Sequence, residues 1–234
     1  MNTETMTHPA ADPGSSDDKG QTSRFLLDSA LHVFSRRGYR RMTMENVLEH
    51  AGISRPTLYK YFRNKHELVV AALIQAGGVL QDRLKASATG NDESLYLMAR
   101  ARLEVYYAWC TEQRELVSQI YREIEDTESP ASKVRAYVLS KTSQHWTAAL
   151  LRHGLVPRDS LEIDSLLFVT EQLTIRYVAL SVDEQVKQSE RFISTSLTHT
   201  CAYIQQLYDL QAPELRVAPP SEVLQALKAS DEPG

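Results

Sequence analysis

The chain has 234 residues, 42% of them hydrophobic, enough for one or two domains with a sizeable core. No run of about eighteen apolar residues occurs and the N-terminus lacks an apolar signal region, so neither a membrane span nor a secretory leader is expected. The net charge of −4 argues against a nucleic-acid partner when taken alone, and the only two cysteines, Cys110 and Cys201, make no disulfide framework and fit a reducing cytoplasm.

The charge is unevenly spread. From Gln21 to Lys65 nine Lys and Arg face three Asp and Glu, leaving +6, so the other residues carry −10. A basic head on an acidic body is the footprint of a DNA-binding segment joined to one that does not touch DNA. Nine glycines and nine prolines are few, which favours helix.

Residues 1–20 are polar, rich in Asp, Ser, Gly and Thr, and are expected to be a disordered arm. A first helix is predicted from about Thr22 to Arg37, with Leu26, Ala30, Val33 and Phe34 on one face and Gly38 ending it. Thr43 is a natural N-cap for a second helix carrying Val47, Leu48 and Ala51. Gly52 stops that helix in a left-handed turn. Ser54 caps a third, with Pro56 in the first turn, where a missing N–H costs nothing. Leu58 and Phe62 point to the core, while Arg55, Thr57, Tyr59, Lys60 and Tyr61 supply basic, hydroxyl and aromatic groups elsewhere.

A short helix, a glycine turn and a second polar helix make a helix-turn-helix, whose second helix enters the major groove. The expected DNA contacts are Thr43, Arg55, Pro56, Thr57, Tyr59, Lys60, Tyr61 and Lys65. Arg55 and Lys60 suit guanine edges; Thr43, Tyr61 and Lys65 suit phosphates; Tyr59 suits either. An αα-hairpin inside an ordinary core is the plain alternative.

This stretch resembles the DNA-binding domain of the tetracycline-repressor (TetR) family of bacterial transcriptional regulators. The resemblance is carried by Ala30 to Tyr39 (ALHVFSRRGY), by Thr43, Val47 and Ala51-Gly52-Ile53-Ser54, and by Thr57-Leu58-Tyr59, Tyr61-Phe62, Asn64-Lys65 and Glu67-Leu68. Leu48 departs from the family's usual alanine, and Pro56 from its common glycine. The resemblance implies an all-α fold: a three-helix head over residues 21–66, then a helical ligand-binding and dimerisation body of about six helices over 67–211. It also implies that the last two helices form an intersubunit four-helix bundle.

A long helix is predicted from Asn64 to about Ser87, interrupted at Gly77-Gly78, and a loop at 88–93. Helices follow over about 93–110, through Ile124, and over 131–153 up to Gly154. Residues 161–182 are apolar nearly all round, so burial on every face is expected, with a partner subunit supplying part of it. In the last helix, about 184–211, Ile193, Leu197, Thr200, Ile204 and Leu207 are spaced four, three, four, three. The expected dimer interface is therefore Phe168, Ile175, Ile193, Leu197, Ile204 and Leu207, although an intramolecular core stripe has the same spacing. Residues 212–234 read as a tail with a turn or two of helix at Ser221–Leu227.

Tyr106, Trp109, Tyr121, Tyr137 and Trp146 are candidates to line an effector pocket; ordinary core is the alternative for each. No cofactor or metal is expected, since no histidine pair, glycine-rich phosphate loop or GxSxG occurs. The reading is a dimeric cytoplasmic repressor, released from a palindromic DNA operator by an unidentified small molecule that is mainly apolar, aromatic or cationic. An effector-independent regulator and a small helical enzyme with a merely similar head remain open, and the basic head argues against the enzyme.

Overall fold

The computed structural model describes residues 16–88 and 94–208. They form helices and no strand: α1 Ser16–Arg41, α2 Met44–Ala51, α3 Arg55–Tyr61, α4 Lys65–Ala88, α5 Leu95–Glu112, α6 Arg114–Arg122, α7 Ala131–Arg152, α8 Ser160–Ala179 and α9 Val182–Tyr208. Most of the arm, the loop at 89–93, the end of the last helix and the tail with its expected turn at Ser221–Leu227 lie outside the described residues.

The head follows its local signals. Thr43 accepts from the Asn46 N–H while the Asn46 side chain accepts from the Thr43 N–H, each at 3.2 Å, a closed capping box. Gly52 ends α2 at φ 63°, and its N–H donates to the Leu48 carbonyl. Ser54 caps α3, and Asn64 caps α4 by accepting from the Glu67 N–H at 2.9 Å. Leu26, Phe34, Val47, Leu58 and Leu68 are buried together.

Three expectations about elements change. α1 starts at Ser16 rather than near Thr22, so the arm's last residues are helical; Ser-Asp-Asp is a sequence suited to a helix start. α1 also continues past Gly38 to Arg41 across a kink, with Gly38 at φ 71° and ψ 168°. α4 runs unbroken through Gly77-Gly78. The reason lies in packing: a Cβ on Gly77 would meet Val138 Cγ2 of α7 at 2.5 Å, whereas one on Gly78 would meet open space. Gly77 is therefore a close contact between α4 and α7. Gly77→Ala is expected to lower the melting temperature. Gly78→Ala should raise stability by about 0.5–1 kcal/mol, since alanine is the better helix former. Thermal melts of the two variants check the opposite signs.

Buried side chains form two clusters. One holds the head with much of α4; Leu116 of α6 and Ala131 and Val134 of α7 belong to it too. The other holds the body.

The expected dimer seam is corrected in part. Ile193, Leu197, Thr200 and Ile204 are buried within a single chain, where α9 packs against α5 and α8. Their spacing fits an intramolecular core, and Leu207 is half-buried. Nor is α8 buried all round. Its inner face buries Ile163, Leu166, Tyr177 and even Glu162, Glu171 and Thr174. Its outer face leaves Leu161, Phe168 and Ile175 exposed, Phe168 at 57%. A helix at the edge of a single body has no neighbour on that side.

Candidate functional site

The helix-turn-helix presents Arg55, Pro56, Tyr59 and Lys60 to solvent, with Thr57 half-buried at the turn. Leu58 is fully buried, which fixes the rotation of α3 and points the polar groups outward. Arg55 donates to Glu45 of α2 at 2.7 Å and lies 5.6 Å over the Tyr59 ring. Both ends of that ion pair are exposed, so it contributes at most about 1 kcal/mol and yields readily to another acceptor. Thr43 is committed to its cap as an acceptor, leaving its hydroxyl proton to donate.

Tyr61 and Lys65 are half-buried. Lys65 has a role the sequence did not reveal: its ammonium donates to the Tyr39 carbonyl at 2.8 Å and lies 4.2 Å over the Tyr39 ring. It thus holds the exit of α1 against the start of α4.

The same exit is held from the body. The buried Glu123 carboxylate accepts from the Tyr39 backbone N–H at 2.8 Å, from Gln119 Nε2 at 2.7 Å and from Ser129 Oγ at 2.5 Å. Arg40 donates twice to Asp126, at 2.6 and 2.8 Å. The end of α6 and the loop after it therefore grip residues 38–40.

Between α4, α5, α6, α7 and α8 lies a cavity of about 150 Å³ with almost wholly apolar walls. Tyr106, Trp109, Tyr121 and Trp146 all border it. Tyr137 does not; it is 51% exposed on the outside of α7, with Lys141 over its ring. Three charged wall residues went unread in the sequence: Arg102, Arg135 and Glu171. Arg135 grips both carboxylate oxygens of Glu171, and the Tyr121 hydroxyl donates to the same carboxylate at 3.4 Å. Burial above all, then Glu171, pushes the Tyr121 phenol far up, so it stays a neutral donor. A signal for two of these residues existed: Arg102 and Glu171 occupy core positions in otherwise apolar helical stripes.

Both thiols are buried, which pushes Cys110 far up and Cys201 up to about 11. Neither is a thiolate at neutral pH, so neither is poised as a nucleophile. Among the described residues no helix is long and apolar enough to cross a membrane.

Residues 26–72 match the family model described as "Bacterial regulatory proteins, tetR family". The HTH-type transcriptional activator FasR of Mycolicibacterium smegmatis is 30% identical over 160 residues, 68% of each chain. The HTH-type transcriptional regulator TtgR of Pseudomonas putida is 30% identical over 92 residues, 38% of this chain and 43% of that one. Among solved structures, Salmonella enterica GusR superposes with a TM-score of 0.65 at 16% identity, covering 83% of this chain and all of that one. Bacillus subtilis FadR in complex with stearoyl-CoA superposes with a TM-score of 0.59 at 14% identity, covering 75% of this chain and 97% of that one. At such identities the structures speak for the fold alone. The sequence match to a regulator over two thirds of both chains speaks for descent, and this DNA-binding chain belongs to the tetR family of bacterial transcriptional regulators.

Proposed function

We propose that the chain is a dimeric repressor that binds a palindromic operator and leaves it when a small molecule fills the body cavity. The observation that carries this reading is the course of α4. It begins at Lys65, next to the recognition helix α3, and its middle turns at Leu73, Gly77 and Leu80 wall the cavity. A ligand that prefers one placement of α4 thereby prefers one placement of the head, and shifts the equilibrium by its differential affinity for the two. Two-fold assembly is supported by the outer face of α8, where Leu161, Phe168 and Ile175 recur every seven residues as an apolar stripe open to solvent. The stearoyl-CoA of the Bacillus subtilis structure does not carry over as a ligand. A cavity of about 150 Å³ holds a body the size of benzene, far short of a long acyl chain.

Within the DNA reading, Arg55, Thr57 and Lys60 meet base edges. Thr43, Tyr61 and Lys65 meet phosphates, and Tyr59 meets either. The test is a binding titration on an operator selected from random duplexes by the protein itself and on a scrambled duplex, at several salt concentrations. Lys60→Ala is expected to relax preference at particular bases, by roughly 1–3 kcal/mol per lost contact. Lys65→Ala should weaken all sequences alike and flatten the salt slope by about one unit. The reverse pattern would exchange the two roles, and no change from either variant would sink the reading.

A further inference from the structure

Three charged side chains border the cavity, Arg102, Arg135 and Glu171, and each is already engaged within the protein. Arg135 of α7 donates to both carboxylate oxygens of Glu171 of α8, and the Tyr121 hydroxyl of α6 donates to the same carboxylate at 3.4 Å. Glu171 is 6% exposed, so this is a buried pair whose charges cancel within the wall. Arg102 of α5 has a partner of its own and lies over the Trp146 ring, its guanidinium 5.5 Å from the centroid. Two wall hydroxyls are committed as well. Thr142 donates to the Val138 carbonyl at 3.0 Å and accepts from Gln81 Nε2 at 2.7 Å, and Thr170 donates to the Leu166 carbonyl at 3.3 Å.

What these groups leave to a ligand is apolar surface and the rings of Tyr106, Trp109, Tyr121 and Trp146. An ion entering that space gives up its water and meets no unpaired counter-charge, which is costly. A neutral ring gives up little and gains ring–ring contacts beyond its buried area. Aromatic faces alone would attract a cation too. Here the one carboxylate of the wall is held by Arg135, and the Trp146 face is already covered by a guanidinium.

We infer that the cavity takes a neutral single-ring aromatic molecule, and that the Arg135–Glu171 pair is what excludes charged ones. The size fits one ring with a short substituent. The effector is then uncharged, where the sequence alone had left aromatic and cationic classes open. If the pair sets the class, breaking it changes the class. Glu171→Gln leaves the Arg135 guanidinium buried without its carboxylate, a vacancy that a ligand carboxylate fills. Arg135→Gln leaves the Glu171 carboxylate, a vacancy for an ammonium. The inference rests on the ligand-responsive reading of the cavity.

The experiment titrates the full chain with benzyl alcohol, cyclohexylmethanol, benzoate and benzylamine near neutral pH, following heat and Trp fluorescence. Benzyl alcohol is expected to bind at least about tenfold tighter than benzoate or benzylamine, whose charges would be buried unpaired. It should bind about threefold or more tighter than cyclohexylmethanol, which lacks the ring–ring contacts. In Glu171→Gln benzoate should gain about tenfold or more and raise the melting temperature, which it does not do in the wild type. In Arg135→Gln benzylamine should gain instead. Benzyl alcohol should change little in either. Equal binding of cyclohexylmethanol, benzoate or benzylamine by the wild type overturns the inference, as does a failure of benzyl alcohol to bind. Folded variants that admit neither ion overturn the role given to the pair; if one variant does not fold, the other and the wild-type series decide. Operator binding is measured on the same samples. If benzyl alcohol binds as expected but never releases operator, the repressor reading fails and the cavity assignment stands; if operator binding is intact and benzyl alcohol does not bind, only the cavity assignment falls.

Discussion

Phe168→Glu is expected to give a folded monomer that binds operator about 100-fold or more weakly than wild type, because two linked half-site contacts become one. In a single chain Phe168 is exposed, so a carboxylate there meets water and the melt should barely move. In the proposed dimer the same carboxylate is buried on an apolar stripe without a partner. Leu197→Glu separates the two interfaces. Leu197 is buried inside one chain, among α5, α8 and α9. Truncating such a leucine to alanine costs roughly 2–5 kcal/mol, and glutamate adds an unpaired buried charge. That variant should lose its fold rather than its partner. Sedimentation and circular dichroism of both variants decide the matter. A dimeric Phe168→Glu would reject the α8 face, and a folded monomeric Leu197→Glu would restore the α9 seam.

Gly38→Ala is expected to be among the most damaging small substitutions in the chain. At φ 71° and ψ 168° Gly38 occupies a region nearly closed to side chains, at a cost of about 1–3 kcal/mol. The added Cβ would also sit 2.4 Å from Glu123 Oε1 and 2.6 Å from Gln119 Nε2. Displacing Glu123 removes the acceptor of the Tyr39 N–H, for about another 1–3 kcal/mol. For a chain of this size the sum lowers the melting temperature by about 5 °C or more. Glu123→Ala should reproduce the second part of the loss without the first. If Gly38→Ala melts with the wild type, the grip of α6 on α1 contributes little.

The head was legible because its instructions are local. Thr43, Gly52, Ser54 and Asn64 each settle a helix end within three or four residues, and the structure shows all four at work. The body was legible as helices but not as a site. Glu171 on α8 meets Arg135 on α7 only through the packing of the two helices, and no periodicity encodes that meeting. Arg102 was visible as a cation in an apolar stripe, yet what it faces depends on where α7 puts Trp146. The a/d spacing of α9 left its partner open for a simpler reason. Four-three spacing marks a face that packs on another helix, and it is blind to which chain that helix belongs to.

The sharing of Leu116, Ala131 and Val134 with the head's buried cluster bears on how this protein could be recombined with its relatives. A chimera cut at residue 66 would carry α1 to α3 away from Leu68, Val69, Ala72 and Leu73 of α4, from Leu116, Ala131 and Val134, and from the Glu123 carboxylate that receives the Tyr39 N–H. The graft would expose those surfaces on both pieces unless the new body offered the same shapes. The portable unit is therefore discontinuous: α1 to α4 together with α6 and the first turn of α7. Exchange of operator specificity by evolution should favour substitutions on the outer face of α3 over replacement of the whole head.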